Sequence, residues 1–190
     1  MNKKRLVIML DILFALAMFQ MVFMNIGIPY PRTFEGFWRM HREVFRVAAS
    51  ELWLLGLWLG GYRAWDRAGK LTRGALLSGA GLMACVLVMP WATQLIIISY
   101  IARISQYLYG GCALLSAAFS WLTFRALGRA GDDACARSAA DHCRALLGAA
   151  GILAAGLLLC AIRFRQAAWY SVAVAGVYML VIAALQARET

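Results

Sequence analysis

Long apolar runs dominate this sequence and restrict its possible folds more than any other feature. Six such runs, each of 18 to 24 residues, are separated by short segments that carry most of the charges. A membrane-spanning helix needs about 20 apolar residues to cross a hydrocarbon core about 30 Å thick. Hydrophobic residues make up 63% of the 190 positions and charged residues 15%, whereas soluble domains are about 25% charged. A soluble core could not bury so many apolar side chains, so we predict an all-α, polytopic membrane protein.

The apolar runs predict six transmembrane helices in a single transmembrane domain, 1–190. The first run is too long for the apolar core of a signal peptide, about 7–15 residues, and we expect it to be retained as a span. Residues 33–46 show apolar positions at helical spacing among charges, which predicts a short interfacial helix between spans one and two. Segment 128–144 is polar and small, and we expect a solvated loop. The predicted spans are about 6–28, 47–65, 75–98, 106–127, 145–162 and 167–187.

Lysine and arginine are distributed unequally between the two sides of the predicted membrane domain. Twelve of the 19 fall on the side of the N-terminus and seven on the other side. Because cytoplasmic loops carry the excess of these residues, both termini are predicted to be cytoplasmic. The cations that give the net charge of +10 lie between the apolar runs rather than on one basic face. We therefore expect the lipid bilayer as a partner, and no nucleic acid.

The first run is unusual because it carries polar residues at membrane depth, among them Asp11. A carboxylate at the centre of a membrane helix costs about 2.5–3.5 kcal/mol, so Asp11 needs a partner or a water-filled surface. We favour a structural pair with a basic residue of a neighbouring helix over a direct role in ion or proton handling. Helical spacing divides the run into two stripes, Met9, Leu13, Leu16, Gln20, Phe23 and Gly27 on one and Asp11, Ala15, Met18, Val22 and Asn25 on the other. One stripe could line a pore while the other anchors the helix, and ordinary packing of both is the alternative.

Other residue types carry weaker signals. Gly56 and Gly60 form a GxxxG motif, which we attribute to chance because small residues are common in this chain. Most of the tryptophans are interpreted as anchors at the membrane interface. Cys135, His142 and Cys143 lie in the predicted loop, and their spacing matches no standard zinc site, so we expect no metal and no other cofactor. No nucleotide-binding, metalloprotease or haem-attachment motif occurs, and we do not expect an enzyme.

The start of the chain resembles a known channel family. The first apolar run begins with the stretch Arg5-Leu6-x-x-Met9-Leu10-Asp11-x-Leu13-Phe14-Ala15-Leu16-Ala17. This stretch is similar to the sequence that opens the transmembrane-protein-175 family of potassium channels, R-L-x-x-F-S-D-x-V-F-A-I-A. Later similarities keep the same order and comprise Ile28-Pro29, Trp58 through Arg63, and Met89-Pro90-Trp91-Ala92-Thr93. The resemblance covers about residues 5–127, and the last two spans agree only in hydropathy.

This resemblance implies a six-span subunit of a homotetrameric, potassium-permeable cation channel in a prokaryotic inner (plasma) membrane. The first helix would line the central pore and Leu16 would form its hydrophobic constriction, with Leu13, Gln20 and Phe23 also lining the pore. A polar network that braces the helix would include Arg5, Asp11 and Arg63.

Two other functions stay open from the sequence. The first is a non-conducting sensor or scaffold that keeps the channel fold and recruits a partner through the cytoplasmic loop 128–144. The second is a proton-linked carrier that would depend on Asp11 and Glu51.

Overall fold

The structure, a computed structural model, describes residues 3–25, 34–68, 71–99 and 101–188. Side chains are described in these ranges except at 3–7, 9, 22–25, 34–42 and 63. The described residues form helices joined by short turns, with no strand among them, which confirms the all-α prediction. The helices are α1 (Lys3–Asn25), α2 (Phe34–Arg67), α3 (Arg73–Ile98), α4 (Arg103–Ala130), α5 (Asp133–Ile162) and α6 (Ala167–Arg188).

Five stretches of these helices are long and apolar enough to cross a membrane, and they support an integral membrane protein. The stretches are Glu43–Arg67, Arg73–Ile98, Arg103–Ala130, Asp133–Ile162 and Ala167–Arg188. In α1 the apolar stretch found among residues with described side chains is Leu10–Met21, which by itself is shorter than the about 20 residues that a span requires. The structure therefore supports five of the predicted spans, and the span in α1 stays a prediction.

The separate interfacial helix predicted at 33–46 is wrong, because α2 runs without interruption from Phe34 to Arg67. The sequence has no proline between these residues, and Arg46-Val47-Ala48-Ala49-Ser50 contains no residue that breaks a helix. The change in hydropathy near Arg46 marks a change of environment along one helix rather than a helix end.

The loop predicted at 128–144 is also wrong. Helix α4 continues to Ala130 and α5 begins at Asp133, so only two residues connect the helices. The segment is rich in alanine, the strongest helix former, and it contains no proline. Asp132 caps α5, since its carboxylate accepts a hydrogen bond of 2.8 Å from the backbone N–H of Cys135. The proposed partner-recruiting loop therefore does not exist as a loop.

Helix α2 lies at the centre of the bundle and contacts each of the other five helices. Its most extensive contact is with α6, and Gly56 and Gly176 lie at this interface. A Cβ atom on Gly56 would lie 2.8 Å from the Cβ of Met179, and one on Gly176 would lie 2.8 Å from the backbone nitrogen of Trp53. Gly56 permits this close contact, whereas Gly60 faces His142 on α5, so the two glycines of the GxxxG motif do not serve one helix contact.

Candidate functional site

Helix α1 has one face buried in the bundle and one face exposed. The buried residues are Leu10, Phe14, Ala17 and Met21, and the helix packs mainly against α3. The opposite face carries Ile8, Ile12, Leu16 and Phe19, each 51 to 60% exposed. Among the residues that the structure describes, the bundle thus covers one side of α1 and leaves the other side largely exposed.

The predicted pore stripe lies along one edge of this exposed face. Leu16 and Gln20 are exposed, and Leu13 is half-buried. The side chain of Phe23 lies outside the described residues. Met18, which belongs to the second predicted stripe, packs against the hydrophobic core. The residues that α1 buries, however, belong to neither predicted stripe, and Ala15 of the second stripe is exposed, so the pore stripe stays a prediction.

Asp11 is held by helix α2 through a tryptophan. The indole N–H of Trp58 donates a hydrogen bond of 2.9 Å to the Oδ1 atom of Asp11, which is half-buried. We expected a basic partner for Asp11. The side chains of the two arginines predicted in this network, Arg5 and Arg63, lie outside the described residues. The Trp58 bond joins α1 to α2 and supports a bracing role for the carboxylate.

A small cavity lies beside this hydrogen bond. Its volume is about 20 Å³, and both Asp11 and Trp58 line it together with Leu57 and Phe124. A cavity of about 10–15 Å³ is the smallest that holds a water molecule, so this one has room for one.

A buried hydroxyl cluster connects α2, α3 and α4 further along the bundle. The Oγ atom of Ser50 lies 2.8 Å from Thr93 Oγ1 and 2.8 Å from the Tyr109 hydroxyl. Thr93 Oγ1 also lies 3.7 Å from the sulfur of Met21, which links α1 to the cluster. These residues were not predicted as a cluster, although each of the three apolar runs contains a hydroxyl side chain. Nothing in the sequence indicated that the three runs meet at these positions.

Trp53 is one of the tryptophans that were predicted to be anchors at the membrane interface, and for it that prediction is wrong. It is fully buried, and its indole N–H donates to Ser116 Oγ at 3.0 Å, so it belongs to the core and not to the membrane interface. A tryptophan with a partner for its N–H is stable inside a bundle. The bond ties α2 to α4.

The Cys135, His142 and Cys143 segment is helical and packed, and its description as a solvated loop was wrong. His142 is buried, with its ring edge-on to Phe124 at a centroid distance of 4.4 Å. A Cβ atom on Gly60 would lie 2.7 Å from the His142 ring, so the glycine makes space for the histidine. Cys135 is also buried, and its sulfur lies 3.8 Å from the carbonyl oxygen of Ala64. These side chains pack α5 against α2 and α4.

No protein-family model, curated protein or solved structure matches this chain.

Proposed function

We propose that this protein is the subunit of a homotetrameric, potassium-permeable cation channel in a prokaryotic inner membrane. In this proposal all six helices span the membrane, both termini are cytoplasmic, and α1 lines a central pore. The observation that carries it is the exposed face of α1, which places Leu16 and Gln20 next to each other near the middle of the helix.

One polar residue on this otherwise apolar face, Gln20, supports a pore. Gln20 lies one helical turn from Leu16 and is exposed. Polar side chains at membrane depth usually face the interior of a bundle or a water-filled cavity. A face formed only for lipid would not need an amide at this depth, whereas a pore that hydrates ions would benefit from one.

Leu16 would form the constriction. Four copies around a symmetry axis would make a ring of apolar side chains, and narrow apolar rings gate ion flow by losing their water. Cation selectivity would be modest, because the sequence contains no T-V-G-Y-G segment to supply a carbonyl filter. Asp11 would stabilise the position of α1 from behind, since its carboxylate is bonded to Trp58.

The proposal is tested by ion flux from potassium-loaded liposomes that contain the purified protein. Leu16→Asn should raise the potassium flux, or create it if the wild type is closed, because an amide lowers the barrier that an apolar ring presents to water. The matched control is Leu115→Asn on α4, since Leu115 is 55% exposed against 51% for Leu16. Met18 would be a poor control because it packs against the core.

Three outcomes would overturn the proposal. Equal effects of Leu16→Asn and Leu115→Asn would mean that α1 does not line the pore. Intact tetramers, measured by native mass spectrometry, that pass no ions in either form would favour the non-conducting scaffold. Flux that requires a pH gradient would favour the proton-linked carrier.

A further inference from the structure

An open groove lies between α5 and α6 at the end where the two helices are joined. Its volume is about 1060 Å³. Small residues form part of its lining, among them Gly156 and Ser171, and the Ser171 hydroxyl is already bonded to the carbonyl oxygen of Ala168 at 2.7 Å. Ile152, Leu159 and Val174 also line the groove. The lining is therefore mostly apolar, and the Ser171 proton is not available to a ligand.

The length of the groove matches one leaflet of a bilayer. It extends along α5 from Arg163 back to Ile152. Eleven residues of helix correspond to about 16 Å at 1.5 Å per residue. This is close to half of the hydrocarbon thickness of about 30 Å. An acyl chain that entered from the membrane surface would reach the end of the groove near the bilayer centre.

Two arginines stand at the surface end of the groove. Arg163 and Arg165 belong to the turn between the helices, and both are exposed. Neither guanidinium makes a hydrogen bond or ion pair with any residue that the structure describes. The turn that presents them is held by backbone hydrogen bonds, including one of 3.0 Å from Phe164 to Leu159. The two charges are thus placed by an ordered turn.

No acidic residue of α5 or α6 neutralises this end of the bundle. The sequence contains no aspartate or glutamate between Asp141 and Glu189. Asp141 lies near the opposite end of α5 and pairs with Arg144 at 3.3 Å. The charge that Arg163 and Arg165 place at the groove is therefore complementary to an anion.

A second cavity adjoins the groove and brings a third arginine close to it. This cavity has a volume of about 500 Å³ and shares Gln166 and Tyr170 with the groove. Arg46 lines it, with its guanidinium carbon 5.9 Å from the centre of the Trp169 ring. The Arg46 guanidinium thus lies beside Trp169, next to the groove.

We infer that the α5–α6 groove binds an anionic phospholipid. The phosphate contacts Arg163 and Arg165, and an acyl chain lies over Gly156 toward Ile152. Guanidinium groups bind phosphate oxygens with two parallel hydrogen bonds, and basic pockets between membrane helices bind anionic headgroups. The inference needs insertion in a membrane and does not depend on ion conduction.

The test compares lipid binding to the purified protein by native mass spectrometry, with phosphatidylglycerol and phosphatidylcholine of the same acyl chains. The wild type should bind phosphatidylglycerol more tightly. Arg163→Gln/Arg165→Gln should weaken that binding about 30-fold, which corresponds to about 1 kcal/mol for each arginine near the membrane surface. The control is Arg137→Gln/Arg188→Gln, which removes two exposed arginines from the opposite ends of the same helices and should stay within about twofold of the wild type.

A second variant tests the acyl-chain part of the groove. Ala155 is exposed and lines the groove, so Ala155→Phe should fill it and weaken the binding of both lipids without disturbing the core. The inference is overturned if Arg163→Gln/Arg165→Gln binds phosphatidylglycerol as the control does, or if the wild type binds both lipids equally. It is also overturned if inorganic phosphate alone displaces phosphatidylglycerol, because the site would then bind free phosphate.

Discussion

Replacing Gly176 by alanine tests the close contact between α2 and α6. An added Cβ would lie 2.8 Å from the backbone nitrogen of Trp53 and 2.9 Å from the carbonyl carbon of Leu52. Ordinary van der Waals contacts of a Cβ atom are 3.4–4 Å. Main-chain atoms cannot rotate away, so the two helices would have to separate by several tenths of an ångström.

The magnitude follows from two opposing effects. Overpacking in a well-packed core costs about 1–3 kcal/mol. Alanine is favoured over glycine within a helix by about 1 kcal/mol, which partly offsets that cost. Gly151 on α5 is a matched control, because an added Cβ there meets no atom within 4 Å. The helix preference cancels between the two variants, so Gly176→Ala should be less stable than Gly151→Ala by about 1–3 kcal/mol.

Thermal unfolding in detergent, followed by circular dichroism and by tryptophan emission, measures this difference. One kcal/mol shifts the midpoint of a chain of this size by roughly 2–4 °C. Gly151→Ala should melt at or above the wild-type temperature, and Gly176→Ala below it. Equal midpoints for the two variants would refute the close packing of α2 on α6.

Three further predictions use the same structure. Trp58→Phe should lower the free energy of unfolding by about 1.5–3 kcal/mol, because it removes the hydrogen-bond donor to the Asp11 carboxylate. The control is Trp91→Phe at an exposed tryptophan, and an equal loss of stability in both variants would contradict the bracing role of Asp11. Asp132→Ala should lower the free energy of unfolding by about 1 kcal/mol in the same melting assay, because α5 loses its cap, whereas Asp132→Asn should retain most of the stability. Equal stability of Asp132→Ala and the wild type would show that the cap is absent. Reporters inserted after Gly131 and at the C-terminus should both report cytoplasm, and signals from opposite sides would contradict the six-span topology.

The sequence alone determined the fold class and the position of several helices. The spans predicted at 75–98 and 167–187 agree with α3 (Arg73–Ile98) and α6 (Ala167–Arg188) to within two residues. These ends could be predicted because the apolar run and the helix stop at the same place. At 33–46 and 128–144 the end of the apolar run and the end of the helix do not coincide, because amphipathic sequence and polar sequence that is rich in alanine also form helices. Hydropathy measures where a chain enters lipid, which is not always where its helix ends.

In the candidate site too, part of the arrangement could be predicted from the sequence and part could not. The helical period placed Asp11 and Leu16 in different stripes, which the structure keeps apart. It could not predict that Trp58 would be the partner of Asp11, or that the hydroxyl of Ser50 would meet two hydroxyls 43 and 59 residues away in sequence. Those contacts depend on which helices are neighbours.

The period of a helix determines which of its residues share a face, because the spacing is a local property of the backbone. Which helix covers that face is decided only by tertiary packing. Gly56 and Gly60 are one turn apart in sequence, yet the first faces Met179 on α6 and the second faces His142 on α5. The side chains of Met179 and His142 pack against α2 from different helices. The shape of this packing, rather than any local motif, decides where α2 needs a glycine.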